Sequence, residues 1–251
     1  ALGSALVHCV RGVDQEGLTL LHEAVPLTDE VDDPGLRVLV RREIGYVGFL
    51  RGSYDRATHW FALAREASND ADGLGWVDLY DGASADDVGD GARGLALLQS
   101  AMEAARREED LRLQTHAATL LGRHHLLAGD VDRAVVDLEA ALTVSRRLGW
   151  TAFRPFPQSL LAEAWRLQGE LGRAQELAEN AYGLAEQLND PCWEGLALRA
   201  LGGVAVDGGD VGSGMRLLED APTQCRRLPD TYRWVELWAY DALVDTALRH
   251  D

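Results

Sequence analysis

The chain contains no lysine: all 24 of its basic residues are arginine. That removes the phosphate-loop lysine and Schiff-base chemistry at a lysine amine. Cysteine is scarce as well. Cys9, Cys192 and Cys225 are odd in number and far apart, with no Cys-x-x-Cys pair, so neither a zinc site nor a disulfide framework is signalled. They read as unbridged, mostly buried thiols in a reducing compartment. No apolar run approaches the ~18 residues needed to cross a bilayer, and no basic-then-apolar segment opens the sequence. Positive charge is outweighed: the formal net charge is −17. Such a surface repels phosphate backbones and no basic stripe compensates, so neither nucleic acid nor membrane is expected as a partner of this segment. The expected location is cytoplasmic.

What is present is a repeat. Gly12, Gly52, Gly89, Gly129, Gly169 and Gly209 follow one another at intervals of 40, 37, 40, 40 and 40 residues. Five residues after each comes a small side chain: Gly17, Ala57, Gly94, Ala134, Ala174, Gly214. Nine after come Leu21, Phe61, Leu98, Leu138, Ala178 and Leu218, and twelve after, alanine every time, from Ala24 to Ala221. A column of six alanines in register is a repeat signature rather than composition. Upstream of the anchors, Ile44-Gly45, Leu121-Gly122, Leu161-Ala162 and Leu201-Gly202 recur, while Asp81-Gly82 keeps only the small residue.

These columns describe two antiparallel helices joined by a glycine turn. Small residues let the backbones meet, a large residue fills the hole beside them, and acids after the glycine suit the positive end of the second helix. One pair cannot bury both its faces, so pairs must stack. The expectation is an all-α, right-handed superhelical solenoid of about 40 residues per repeat. A single array is expected over residues 1–251, with six helix pairs and a final unpaired helix near 231–249. An aromatic last helix with no partner after it makes a segment of a longer protein the expectation. If that helix packs on a further repeat, Trp234 or Trp238 should be exposed in an apolar patch, and self-association through the helix becomes possible.

Leu-Gly followed by Gly-Asp-x-x-x-Ala, an apolar residue and Ala resembles the tetratricopeptide (TPR) repeat. The match is good over 42–64 and 118–142, fair over 159–181 and poor near residues 1 and 74. The long period and the arginine- and alanine-rich style resemble the TPR-like sensor region of large bacterial LuxR-type, ATP-dependent transcriptional regulators. That resemblance implies a non-catalytic domain binding a protein or an effector, with the ATPase and DNA-binding modules outside this chain. The alternative is a TPR scaffold that binds a protein or peptide and has no role in transcription.

Several motifs tempt and are absorbed by the repeat. Gly89-Asp90-Gly91-Ala92-Arg93-Gly94 spells a dinucleotide fingerprint but lies in register with five other turns and follows no strand. His124 and His125 are adjacent, so they leave the helix in different directions, and neither they nor His116 has ligands spaced to complete a metal site. Arg106 to Asp110 reads as a solvated link between two helices. Gly212-Ser213-Gly214 lacks the nucleophile-elbow spacing, and Trp60, Trp165 and Trp193 read as core. No enzyme, metal or cofactor is expected.

The resemblance implies that the first helix of each pair lines the inner, concave side. Helical spacing then puts Arg42, Tyr46 and Phe49 inward in the second repeat, Leu79 and Ala83 in the third, and Thr119 and Arg123 in the fourth. Ser159, Glu163 and Arg166 follow in the fifth, and Arg199 and Gly203 in the sixth. Of these, Arg42, Tyr46, Phe49, Arg123, Glu163, Arg166 and Arg199 are the candidate recognition residues. Arginines among aromatics in an acidic protein suit an acidic peptide, a partner's loop or a small anionic effector.

Overall fold

The computed structural model describes residues 2–7, 14–68, 73–227 and 232–250. Among them are thirteen α-helices and no strand: α1 (Leu2–Val7), α2 (Asp14–Asp29), α3 (Pro34–Leu50), α4 (Tyr54–Glu66), α5 (Gly75–Asp87), α6 (Gly91–Arg107), α7 (Leu111–Leu127), α8 (Val131–Arg147), α9 (Pro155–Leu167), α10 (Leu171–Leu188), α11 (Pro191–Asp207), α12 (Val211–Cys225) and α13 (Arg233–His250). The expected all-α fold is what forms. None of the described helices is long and apolar enough to cross a membrane.

The turn chemistry follows the sequence. Gly52, Gly89, Gly129, Gly169 and Gly209 all have positive φ, between 68° and 93°, a conformation that costs glycine nothing; Gly12 lies outside the described residues. At Asp90, Asp130 and Asp210 the carboxylate then accepts from the amides of Arg93, Arg133 and Ser213 and caps the second helix. Gly89 and its neighbours are therefore a repeat turn, and Ser213 a first-turn residue. The charged run behaves as a link: α6 ends at Arg107, Glu109 adopts positive φ, and Asp110 caps α7 by accepting from the amides of Arg112 and Leu113.

Within each pair the small and large columns interlock. A β-carbon at Gly45 would lie 2.5 Å from the Phe61 ring, at Gly122 2.5 Å from Leu138, and at Gly202 2.7 Å from Leu218. The fifth pair meets this demand with two alanines, Ala162 and Ala178, both fully buried. Ala57, Ala134 and Ala174 are wholly buried too. Large side chains fill the gap left by small ones, and dispersion over many such contacts stabilises the pair.

The chain falls into two compact units, Ala1–Leu120 and Leu121–Asp251, with the boundary inside α7. We call the first helix of a pair the A helix and the second the B helix; α13 follows the sixth pair alone.

Candidate functional site

In residues 1–120 the A helices bring rings together. Tyr46 on α3 lies 4.6 Å from Tyr80 on α5, centroid to centroid, and Phe49 stacks on the same tyrosine at 6.4 Å. Trp76, one turn before Tyr80, extends the row at 5.9 Å and meets His116 of α7 edge-on at 5.1 Å. The Trp76 indole N–H donates to Asp110, which fixes the ring. Arg42 lies 5.9 Å from the Trp76 ring and pairs with the fully buried Glu43. Burial pushes the Tyr80 hydroxyl well above its usual range, with Tyr46 and Glu43 adding to the shift.

Sequence reasoning brought Arg42, Tyr46 and Phe49 to this face and missed its α5 members. Leu79 and Ala83, expected inward, are wholly buried in the core. Tyr80 stands where Leu79 was expected. A register error of one residue turns a side chain by about 100° around the helix, enough to exchange a core position for a lining one.

In residues 121–251 the A helices bring charges together. Glu163 on α9 accepts from Arg166 Nε and Nη2 at 2.9 Å each, a bidentate pair, and from Arg199 Nη2 of α11 at 3.3 Å. Arg166 also pairs with Asp207 at the end of α11. Its guanidinium can cross α11 because Gly203 lies beneath: a β-carbon there would sit 2.9 Å from Arg166 Nε. Burial alone would raise the Glu163 carboxyl, but Arg199 and Arg166 outweigh it and hold it at about 2. Glu163 and Asp207 in turn hold the Arg166 guanidinium above its ordinary value, against desolvation.

α13 closes over this network. Arg199 donates to the Trp238 carbonyl at 3.1 Å and lies 4.2 Å from the Trp238 ring. Arg123, in the part of α7 that belongs to this unit, lies 4.4 Å from the Trp234 ring and 6.0 Å from that of Trp238. Desolvated contacts of this kind are worth up to about 2 kcal/mol. The result is deep burial: Arg123 is 4% exposed, Glu163 6% and Arg199 8%. Beside them Phe156 and Trp193 stack at 4.6 Å, with Trp234 5.5 Å from Phe156.

The four candidate recognition residues of this unit are therefore gathered: Glu163, Arg166 and Arg199 by ion pairs, Arg123 and Arg199 around one tryptophan. The tryptophans that complete the face were not foreseen as lining. The expectation of an exposed α13 tryptophan is not met, since Trp234 is buried and Trp238 half-buried; the exposed apolar residues of α13 are Leu237, Val244 and Leu248. Thr119 and Ser159, also expected inward, are buried and donate to backbone carbonyls of their own helices. Trp193 is core as expected, whereas Trp165 is only half-buried, beneath Arg173 at 3.9 Å. His125 contacts Asp137 at 3.0 Å, and no group of three metal-ligating side chains occurs among the described residues.

The arrangement of A and B helices is shared with solved structures. A Rap protein crystallised with competence and sporulation factor matches 93% of this chain and 69% of its own, with a TM-score of 0.66 at 13% identity. Aspartyl phosphate phosphatase F from Bacillus subtilis matches 100% of this chain and 69% of its own, with a TM-score of 0.65 at 12% identity. TPR-like repeats of a kinesin light chain from Podosopora anserina match 77% of this chain and 97% of theirs, with a TM-score of 0.53 at 16% identity. The fold is TPR-like. No family model matches the sequence, and no curated protein matches it significantly. At these identities the likeness is one of architecture, and it bears out the TPR reading of the repeat.

Proposed function

We propose that this TPR-like chain is a non-catalytic recognition module whose A-helix faces hold a protein or peptide segment bearing carboxylates. The observation that carries this reading is the pairing of arginines with rings: Arg42 of α3 lies beside Trp76 of α5 in the first unit, and Arg123 and Arg199 lie beside Trp234 and Trp238 of α13 in the second. Arginine offers a planar fork of donors to a carboxylate, and rings add apolar area at low conformational cost. Arg42 and Trp76 of the first unit, and Arg166 and Trp238 of the second, are only part-buried and form the accessible rim. A small anionic effector would use the same forks.

The domain context we propose is the sensor region of a bacterial LuxR-type regulator, on the strength of repeat length and arginine-rich style. A nucleotide-binding domain and a helix-turn-helix encoded in the same gene are the expected outcome; a longer reading frame without either favours the scaffold with no role in transcription. Self-association is assigned to the Leu237, Val244 and Leu248 face of α13, and sedimentation that stays monomeric at high concentration would remove it.

The recognition reading is tested with arrays of acidic, neutral and basic synthetic peptides. Acidic peptides should be retained selectively. Arg42→Ala or Arg166→Ala should weaken them at least about tenfold, a 1.4 kcal/mol effect, while Arg146→Ala on the exposed side of α8 leaves them unchanged. Equal losses, or no preference for acidic peptides, would sink the proposal.

A further inference from the structure

The sequence gives no sign that two of its three cysteines meet. Cys192 stands at the second position of α11 and Cys225 at the last position of α12. Antiparallel pairing brings these ends together, and Gly195 lets the backbones close. A β-carbon at Gly195 would lie 2.5 Å from the Ala221 carbonyl oxygen and 3.6 Å from the Cys225 amide. One turn away the two sulfurs face each other at 2.8 Å, both side chains buried. Cys225 Sγ also lies 3.9 Å from the carbonyl of Tyr232, just before α13 begins. A sulfur–sulfur bond is about 2.05 Å long, so less than about 1 Å of approach separates this thiol pair from a bridge.

We propose that Cys192 and Cys225 are a redox modification site, oxidised reversibly by peroxide to a disulfide that ties α11 to α12 where α13 enters. One thiolate attacks a peroxide oxygen. The O–O bond breaks, an S–O bond forms, and the departing oxygen leaves as water with that cysteine's proton. The second sulfur then attacks the sulfenic sulfur. The S–S bond forms, the S–O bond breaks, and the oxygen leaves as a second water with the second thiol's proton. The sulfur pair gives up two electrons and one hydrogen peroxide becomes two waters; a dithiol reductant reverses the change. The bridge lies next to Trp193, whose indole stacks between Phe156 and Tyr232, so its formation is coupled to the aromatic wall of the second unit.

The test treats the reduced chain with hydrogen peroxide, unfolds it, alkylates remaining thiols and maps the peptides. The expected result is a linked Cys192–Cys225 peptide lacking two hydrogen atoms, which a dithiol reductant releases. A melting midpoint raised by several degrees should accompany it, and that rise should vanish in Cys225→Ser and in Cys192→Ala. Cys9 serves as the internal reference. Alkylation of both Cys192 and Cys225 after treatment that oxidises Cys9, or their passage to sulfinic acid without a link, would overturn the proposal. The mapping uses the unaltered chain, so it stands even if a cysteine variant folds poorly.

Discussion

The A helices of residues 1–120 meet through rings, with Tyr46, Phe49, Tyr80 and Trp76 in a row, whereas those of residues 121–251 add to the Phe156–Trp193 stack an ion-pair network of Glu163, Arg166 and Arg199, with Trp238 against Arg199. The helix pairs behind both faces are built alike, with the same glycine turns and the same small-against-large columns. Repetition therefore fixes the scaffold and leaves the lining to vary. Burial of rings is non-directional and indifferent to pH, while a buried carboxylate between two guanidinium groups depends on geometry and on its own ionisation.

The largest effect should come from the ring face. Tyr80→Ala is expected to destabilise by about 3–5 kcal/mol, by the same amount at pH 4 and pH 8 in denaturant melts; a strong pH dependence would break the contrast. Glu163→Gln should cost about 3 kcal/mol at neutral pH, from a carboxyl held at about 2 against an ordinary 4.5. Its sign follows from the lowered value. The stabilisation is present above about 4.5 and is lost as pH falls toward 2, so the cost of the substitution should shrink over that window; a constant cost would mean that the ion pairs contribute nothing specific.

What the units share is probed by overpacking. Ala134→Leu at a wholly buried position should cost about 1–3 kcal/mol or more, whereas Ala140→Leu on the exposed side of the same helix should leave the thermal midpoint nearly unchanged. Equal midpoints for the two variants would mean that the repeat register is wrong. The smallest effect is expected at Asp190, which caps α11 by accepting from the amide of Trp193. Burial raises its carboxyl to about 6, the backbone amides of Trp193 and Cys192 partly opposing this and Glu194 adding to it. A raised carboxyl favours the fold below its unfolded value of 3.8, and that advantage is lost as pH rises through about 6. Asp190→Asn keeps the cap without the buried charge, so it should stabilise by about 1 kcal/mol at pH 7.5, with the gain fading toward pH 4. Destabilisation at pH 7.5 would show that the ionised cap is preferred.

The contrast also explains how far the sequence could be read. Gly129, Ala134, Leu138 and Ala141 state their roles within one turn and one helix, because positive φ, close approach and hole-filling are local demands that recur every repeat. The inward face is harder, since choosing between Leu79 and Tyr80 needs the helix rotation to within one residue. The gathering of Phe156, Trp193 and Trp234, or of Cys192 and Cys225, depends on which helix ends the packing brings together, and no local pattern encodes that. Arg42, Arg123, Glu163, Arg166 and Arg199 were reached by helical spacing on the first helix of each pair, the helix that the TPR resemblance implies as inner. Their partners Trp76, Asp207, Trp234 and Trp238 were not, because those lie on other helices.

Hydrogen exchange of the chain with and without an acidic peptide retained on the array tests the recognition reading most directly. Added protection should appear along α3, α5, α9 and α11, whose side chains form the linings, with α4, α6, α8 and α10 unchanged. Protection centred on those B helices would contradict it.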